Sequence, residues 1–327
     1  MIQFVLRRAF WMLILLAGVN FFSFAYAHYG RFAQRSANPI FAQTGEAEPV
    51  LPLYKQYIEG FLNGTPAQMP AMQGVSILTA VGDAAKASLG LFGIAFAVSL
   101  LIGFWLGMQS ARTNPPRVSS LLIPLTTVSL AMPGFYIGAV LITASVFYLL
   151  YSPGVQNTLP FPLNGFGWDE HLVFPVIALT FRPAVQIAQT TAILLSEEFK
   201  KTYVSAALSL GHSWRLIRTK TALQNIFAPL AQVAASSLRL LVGELILVEW
   251  LFGWPGLGRL LAFSLQPPSV ATVFSAVLPP TYLHAPTVAT VVTMLGIILV
   301  SADLMFSTFA HFADPRLRIG EKGAGDG

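Results

Sequence analysis

Apolar positions along the chain gather into six runs, at about 9–27, 87–108, 119–150, 171–195, 229–251 and 286–310. Each is long enough to cross a hydrocarbon core, which takes ~20 largely apolar residues in helical form. An even number of crossings places both termini on one side. The first run follows Arg7 and Arg8 and ends Ala25-Tyr26-Ala27, a small-residue pattern that a cleaved signal peptide shares. Its apolar core exceeds the ~7–15 residues usual for such peptides, so it reads as a retained first helix.

Between the first two runs the pattern breaks. Residues 28–85 contain Asn38-Pro39, Glu46, Glu48, Pro49, Pro52 and Pro66, too polar and too interrupted to span. Within that insertion Leu53, Tyr57, Ile58, Phe61 and Leu62 recur at helical spacing after Pro52. They predict a short amphipathic helix lying on the outer surface and packing against the bundle. Gly103 with Gly107 and Gly134 with Gly138 place small residues four apart, a spacing that lets helices approach closely in lipid. Packing within this chain is the expectation, with a homodimer face as the alternative. Pro133 removes one ladder bond and is expected to bend the third run.

Composition agrees with the pattern. Of 327 residues 55% are apolar and 10% charged, where soluble proteins carry about 25% charged residues. The formal charge of +5 does not suggest nucleic acid, because the basic residues fall between apolar runs instead of forming a soluble patch. Their placement sets orientation instead, since short basic loops stay cytoplasmic. With the N-terminus inside, that side collects Arg7, Arg8, Arg112, Arg117, Lys200, Lys201, Arg215, Arg218, Lys220, Arg316, Arg318 and Lys322. The outside collects Arg31, Arg35, Lys55 and Arg259. The expected fold is an all-α, six-span bundle, N-in and C-in. It divides into a first helix (1–27), an extracytoplasmic insertion (28–85), a five-helix core (86–310) and a cytoplasmic tail (311–327). Within the core lie a cytoplasmic loop (196–228) and an external loop (252–285).

The cytoplasmic loop is the most informative stretch. Ser196, Glu197 and Glu198 read as a helix start, with a hydroxyl cap and acids at the positive helix end. Gly211 is placed to end that helix in a left-handed conformation, and Ser213 to cap a second helix persisting until Pro229. The run Tyr203-Val204-Ser205-Ala206-Ala207-Leu208-Ser209-Leu210-Gly211-His212-Ser213, with Ala222-Leu223-Gln224-Asn225 and Pro229, resembles the coupling loop of ABC importer permeases of the dipeptide and oligopeptide type. Leu6-Arg7-Arg8, Ser129 to Phe135, Glu249-Trp250-Leu251-Phe252-Gly253-Trp254-Pro255-Gly256-Leu257-Gly258, Asp303 and Asp314-Pro315-Arg316 extend the resemblance over nearly the whole chain, in order.

The resemblance implies a transmembrane subunit of the bacterial or archaeal inner membrane. It would form the translocation path with a homologous permease, driven by two cytoplasmic ABC ATPases and fed by an external substrate-binding protein. It also implies that the chain itself holds no cofactor, ATP and Mg being bound by the ATPases. Tyr203, Ala206, Ala207 and Gly211 would form the docking surface, flanked by Ser213, Trp214 and Arg215. The sequence departs from the family at Leu208 and Leu210, where basic residues are common, at Gln186 and Gln189, where arginines are, and at Gln266-Pro267-Pro268. The Pro-Gly-Asp-Pro run often found after the first span is absent, and Pro279-Pro280 with Pro286 interrupt the approach to the sixth.

Charges inside apolar runs cost ~2.5–3.5 kcal/mol at the bilayer centre and therefore face a cavity or a partner. Arg182, Arg239, Glu244 and Asp303 are such residues. Arg239 or Glu244 lines the path or meets the partner permease on one reading; on the other, Glu244 pairs with Arg182 within the chain. Asp303 fits the family pattern and reads as structural.

The chain has no cysteine, so disulfides, thiolate metal sites and cysteine nucleophiles are excluded. It has no Gly-Lys dipeptide, so it lacks a phosphate-cradling loop of its own. Gly211-His212-Ser213 lacks the final glycine of a nucleophile elbow, Arg215 standing in its place, and the five histidines show no ligand spacing. The expectation is a transport subunit and not an enzyme. The alternatives are an ion-gradient-driven transporter or channel, although no half-to-half repeat is visible, and a membrane scaffold without a path.

Overall fold

The computed structural model describes residues 2–37, 47–70, 74–151, 159, 161–266 and 280–313. The expectations resting on Asn38-Pro39, Glu46, Pro267-Pro268, Pro279 and the tail beyond Ala313 lie outside them. Among the described residues the chain is all-α apart from one small hairpin, and six of their helices are long and apolar enough to cross a membrane. These are α1 (Ile2–Ala37), α3 (Ile77–Ser110), α5 (Gly134–Tyr151), α6 (Val173–Glu198), α9 (Leu223–Leu251) with its preceding turns, and α11 (Ala285–Ala313). Shorter helices are α2 (Val50–Leu62), α4 (Leu122–Ala131), α7 (Thr202–Ser209), α8 (Trp214–Leu216) and α10 (Leu257–Leu265).

Two compact units divide the chain, the first made of 1–90 with 253–300 and the second of 91–252 with 301–327. In the first, α2 packs on α1 through aromatic rings. Tyr54 meets Phe21 and Phe24 edge-on at 5.1 and 5.4 Å, and Tyr57 lies against Phe24 at 5.2 Å. The helix expected from Leu53 to Leu62 thus packs against the bundle, and it starts three residues earlier, at Val50, with Pro52 in its first turn. A polar knot holds the same contact. Asn20 Nδ2 on α1 donates to Thr293 Oγ1 of α11 at 2.8 Å and to Tyr57 Oη at 3.2 Å, while Tyr54 Oη donates to Asn20 Oδ1 at 3.0 Å. An amide inside an apolar helix needs such partners, because hydrocarbon offers none.

The segment after α9 is anchored in this unit as well. Gly253 takes a φ of +67, and Trp254 is fully buried with its indole N–H donating to Ala87 O at 3.0 Å. Leu257 N at the start of α10 donates to Ser88 Oγ at 2.8 Å. The region expected as an external loop therefore carries a nine-residue helix. Near its end His284 sits just before α11, its imidazole Nδ1 2.8 Å from Thr287 Oγ1. Burial, helped by the charge of Arg31, pushes its pKa down to about 4.

That shift sets a pH dependence. The unfolded chain protonates this histidine near 6.5 and the folded chain only near 4, so the folded state binds fewer protons between those values. Stability is whole above pH 6.5 and falls as the pH drops toward 4. The melting temperature of the purified chain is expected to decline across that window, and H284Q to flatten the decline. An unchanged slope in H284Q would assign the acid sensitivity elsewhere.

In the second unit α6 is the central helix, packed on α9, α5 and α4. A Cβ at Gly103 would come within 2.6 Å of Ala184 O and 2.8 Å of Ile187 Cβ, and one at Gly107 within 2.7 Å of Ala188 O, all on α6. Gly138 makes the same kind of approach to Leu251 and Phe252. Both glycine pairs thus serve packing inside the chain, as expected. Ala111–Thr113 (β1) and Pro116–Val118 (β2) pair antiparallel after α3, a hairpin that the sequence reading missed although Asn114-Pro115 is a turn signal.

Further boundaries differ from expectation. The third apolar run is two helices, because Met132 precedes Pro133 and takes an extended conformation (φ −113, ψ 108), away from the helical region that proline disfavours for its predecessor. Ser196, Glu197 and Glu198 end α6 instead of starting the loop helix, which begins at Thr202 after an extended Lys201. The helix after Ser213 does not stop at Pro229. It runs through a six-residue π turn (Ile217–Ala222) and on to Leu251 with Pro229 inside it.

Candidate functional site

The loop between α6 and α9 is short, helical and tightly closed. At the end of α7, Gly211 N donates to Leu208 O at 2.9 Å and His212 N to Ala207 O at 3.0 Å, the paired bonds of a Schellman close. Gly211 adopts the left-handed φ of +86 that such a close requires. Ser213 Oγ then accepts from Leu216 N at 3.3 Å and caps the next helix. Both features match the sequence reading.

Glu198 ties this loop to the bundle. Its side chain is buried, yet it accepts from Asn225 Nδ2 at 2.6 Å and Tyr203 Oη at 2.8 Å and pairs with Lys201 Nζ at 2.5 Å. The carboxylate closing α6 therefore holds both the first turn of α7 and the early part of α9. Tyr203 is pushed up to about 12, by burial first and then by the hydrogen bond and charge of Glu198. It remains a neutral donor at any physiological pH.

Apolar contacts complete the brace. Leu195, Phe199, Ala222 and Ile226 bury themselves with Ala111, and Trp214 meets the Phe199 ring edge-on at 5.6 Å. Arg218 reaches across to donate to Ala111 O at 3.1 Å. Of the expected docking residues, Ala206, Gly211, Ser213 and Arg215 are exposed. Tyr203, Ala207 and Trp214 are half-buried, Tyr203 turned to Glu198 and Trp214 to Phe199. Leu210, whose departure from the family pattern was noted, is 80% exposed and adds an apolar tip.

Residues Glu198 and Asn225 were not among the candidates. Asn225 stood inside the matched motif, so its type was legible. The role of Glu198 was hidden because two adjacent acids after a serine resemble a helix start.

The charges inside the helices are paired. Arg182 Nη1 of α6 donates to Glu244 Oε1 of α9 at 3.1 Å, the intrachain pairing that the sequence left open. Glu244 Oε2 is buried with no hydrogen-bond partner among the described residues, and it faces Gly134, where a Cβ would collide with it. Arg239 of α9 pairs with Asp303 of α11 at 3.0 Å, although its side chain remains 60% exposed. Among the described residues no three His, Asp or Glu side chains gather as a metal site.

The comparisons with known proteins agree with this architecture. Residues 99–319 match the model of the family described as binding-protein-dependent transport system inner membrane component. The chain is 24% identical to the dipeptide transport system permease protein of Escherichia coli K12, over 97% of this chain and 99% of that protein. It is 22% identical to the oligopeptide transport system permease protein of Bacillus subtilis, over 85% and 93% respectively. A dipeptide permease of Lactococcus lactis is 24% identical over 84% and 83%. With a family model covering more than half of its length and six apolar helices to match, this chain belongs to the binding-protein-dependent transport system inner membrane components, the multi-pass permeases of ABC importers.

Proposed function

We propose that this chain is one permease half of a peptide-type ABC importer, with a homologous permease as the other half, two cytoplasmic ATPases binding ATP and Mg, and an external binding protein delivering the solute. The carrying observation is the braced loop: a short helix closed at Gly211 and fixed through Glu198 to both α6 and α9. A helix held at both ends moves as one body with its spans, which is what transmitting ATPase closure requires. The excess of Lys and Arg on the loop's side supports placing it in the cytoplasm. Peptides as cargo rest on the printed activities of the relatives.

Arg182, Glu244 and Arg239 form the polar part of the path or of the seam with the partner permease. The support is physical. An arginine 60% exposed on a spanning helix is costly against lipid and calls for water or protein beside it. The reading of an ion-gradient-driven transporter has no observation in its favour.

The test is binding-protein-stimulated ATP hydrolysis and peptide uptake by the complex in proteoliposomes, with Ala207 and Gly211 replaced by tryptophan and valine. The left-handed turn alone makes valine at 211 costly by about 1–2 kcal/mol, and a bulky residue at 207 blocks seating. At least a tenfold loss of stimulation is expected with the complex still assembled. Wild-type coupling in both variants would remove the loop's role.

A further inference from the structure

Beside the coupling loop, within the second unit, lies an open cavity of about 440 Å³, bordered by two of the residues expected to flank the ATPase contact, Trp214 and Arg215. One wall comes from the last turns of α3, with Phe104, Trp105 and Met108. The other comes from the loop's second helix and the π turn, with Trp214, Arg215 and Arg218. Among the described residues no Asp or Glu lines it, so two guanidinium groups face it without a carboxylate. The arginines are not equivalent. Arg218 spends Nη2 on Ala111 O and lies 5.8 Å over the Phe199 ring, while its buried Nε has no hydrogen-bond partner among the described residues. Arg215 is exposed.

Depth identifies the occupant. Trp105 is five residues before the end of α3 at Ser110, about 7–8 Å along the axis at the α-helical rise. The residue is 60% exposed. An exposed tryptophan one to two turns from the end of a spanning helix belongs at the level of the lipid headgroups. The apolar wall is therefore continuous with the lipid-facing side of α3, and the arginines stand where a headgroup phosphate would lie. We propose that this cavity binds an anionic glycerophospholipid of the inner leaflet, its phosphate on Arg215 and Arg218 and the first part of an acyl chain against Trp105 and Met108. A lipid seated there touches the spanning helix α3 and the coupling loop at once, so the anionic lipid content of the membrane would tune how firmly the loop is held. The cytoplasmic setting comes from the charge distribution, and the proposal is otherwise independent of the transported solute.

The experiment measures lipid retention by the intact complex in mild detergent, titrated with phosphatidylglycerol or phosphatidylcholine and read by native mass spectrometry. Wild type is expected to retain phosphatidylglycerol about five- to thirtyfold more strongly than phosphatidylcholine, the scale of one or two basic side chains at an anionic surface. R215Q is expected to lose most of that preference and W105A to weaken retention of both lipids, each variant eluting as wild type in size exclusion. Millimolar inorganic phosphate is expected not to displace the lipid. Equal retention of the two lipids, unaltered retention in R215Q and W105A, or displacement by inorganic phosphate would each overturn the proposal. Retention seen only in the permease pair stripped of its ATPases, and not in the intact complex, would also overturn it, assigning the cavity to the ATPase contact.

Discussion

Replacing Glu198 by alanine is expected to leave the chain inserted and assembled but to cut binding-protein-stimulated ATP hydrolysis by at least about thirtyfold. The carboxylate receives Tyr203, Asn225 and Lys201, and it is the point at which α6, α7 and the early turns of α9 meet. Hydrogen bonds to a charged group contribute about 1.5–3 kcal/mol each. Tyr203 is half-buried and Asn225 exposed, so solvent discounts the two bonds together to at least about 2 kcal/mol in the docked geometry, which corresponds to that factor. Lys201 is more than half exposed and is resolvated, so it adds little. The apolar brace around Phe199 stays intact, so the loss is expected in coupling and not in insertion. E198Q keeps the shape and, with its carbonyl oxygen in the place of Oε1, still accepts from Tyr203 and Asn225, but it loses the charge and turns its N–H₂ toward Lys201, so an intermediate loss is expected. Wild-type coupling in E198A would mean that Val204 and the Phe199 cluster hold the loop unaided.

Breaking the Arg182–Glu244 pair is the second large effect. E244A leaves a guanidinium between α6 and α9 with its carboxylate gone, and such an uncompensated charge costs about 3–5 kcal/mol when fully buried. Arg182 retains 28% side-chain exposure, so the lower end is expected. The double variant R182M/E244L removes both charges and both desolvation costs. It is expected to regain most of the lost stability, as apolar replacements of buried pairs do. Thermal unfolding of wild type, R182M, E244L and the double variant in detergent measures the coupling between the two residues. Transport then separates the roles. A double variant that is stable but inactive places the pair in the path or the seam, whereas one that is stable and active makes it a packing device only.

Legibility followed the range of the interaction. The six spans, the left-handed turn at Gly211, the cap at Ser213 and the helix of the insertion were all readable, because each depends on a local pattern or on one residue's backbone preference. The break at Met132 was half-readable: Pro133 announced a disturbance, and the structure turned an expected bend into two helices. The end of α6 was misread, since Ser196-Glu197-Glu198 satisfies the local rules for a start. What decides the matter is Asn225, 27 residues later, which captures the Glu198 carboxylate. Arg239 stands five positions from Glu244 on one helix and thus on a different face. Space gives it Asp303 instead, and gives Glu244 to Arg182.

The sequence by itself determined that this chain crosses the membrane, which loop is basic, and that the loop's spacing is that of an importer permease, because length, apolarity and motif are properties of residues in order. The tertiary structure alone decided which charges neutralise each other and which carboxylate braces the coupling helix. Such pairings are set by which helix faces meet, and meeting depends on the small residues Gly103, Gly107, Gly134 and Gly138, whose close approach no local pattern assigns to a partner.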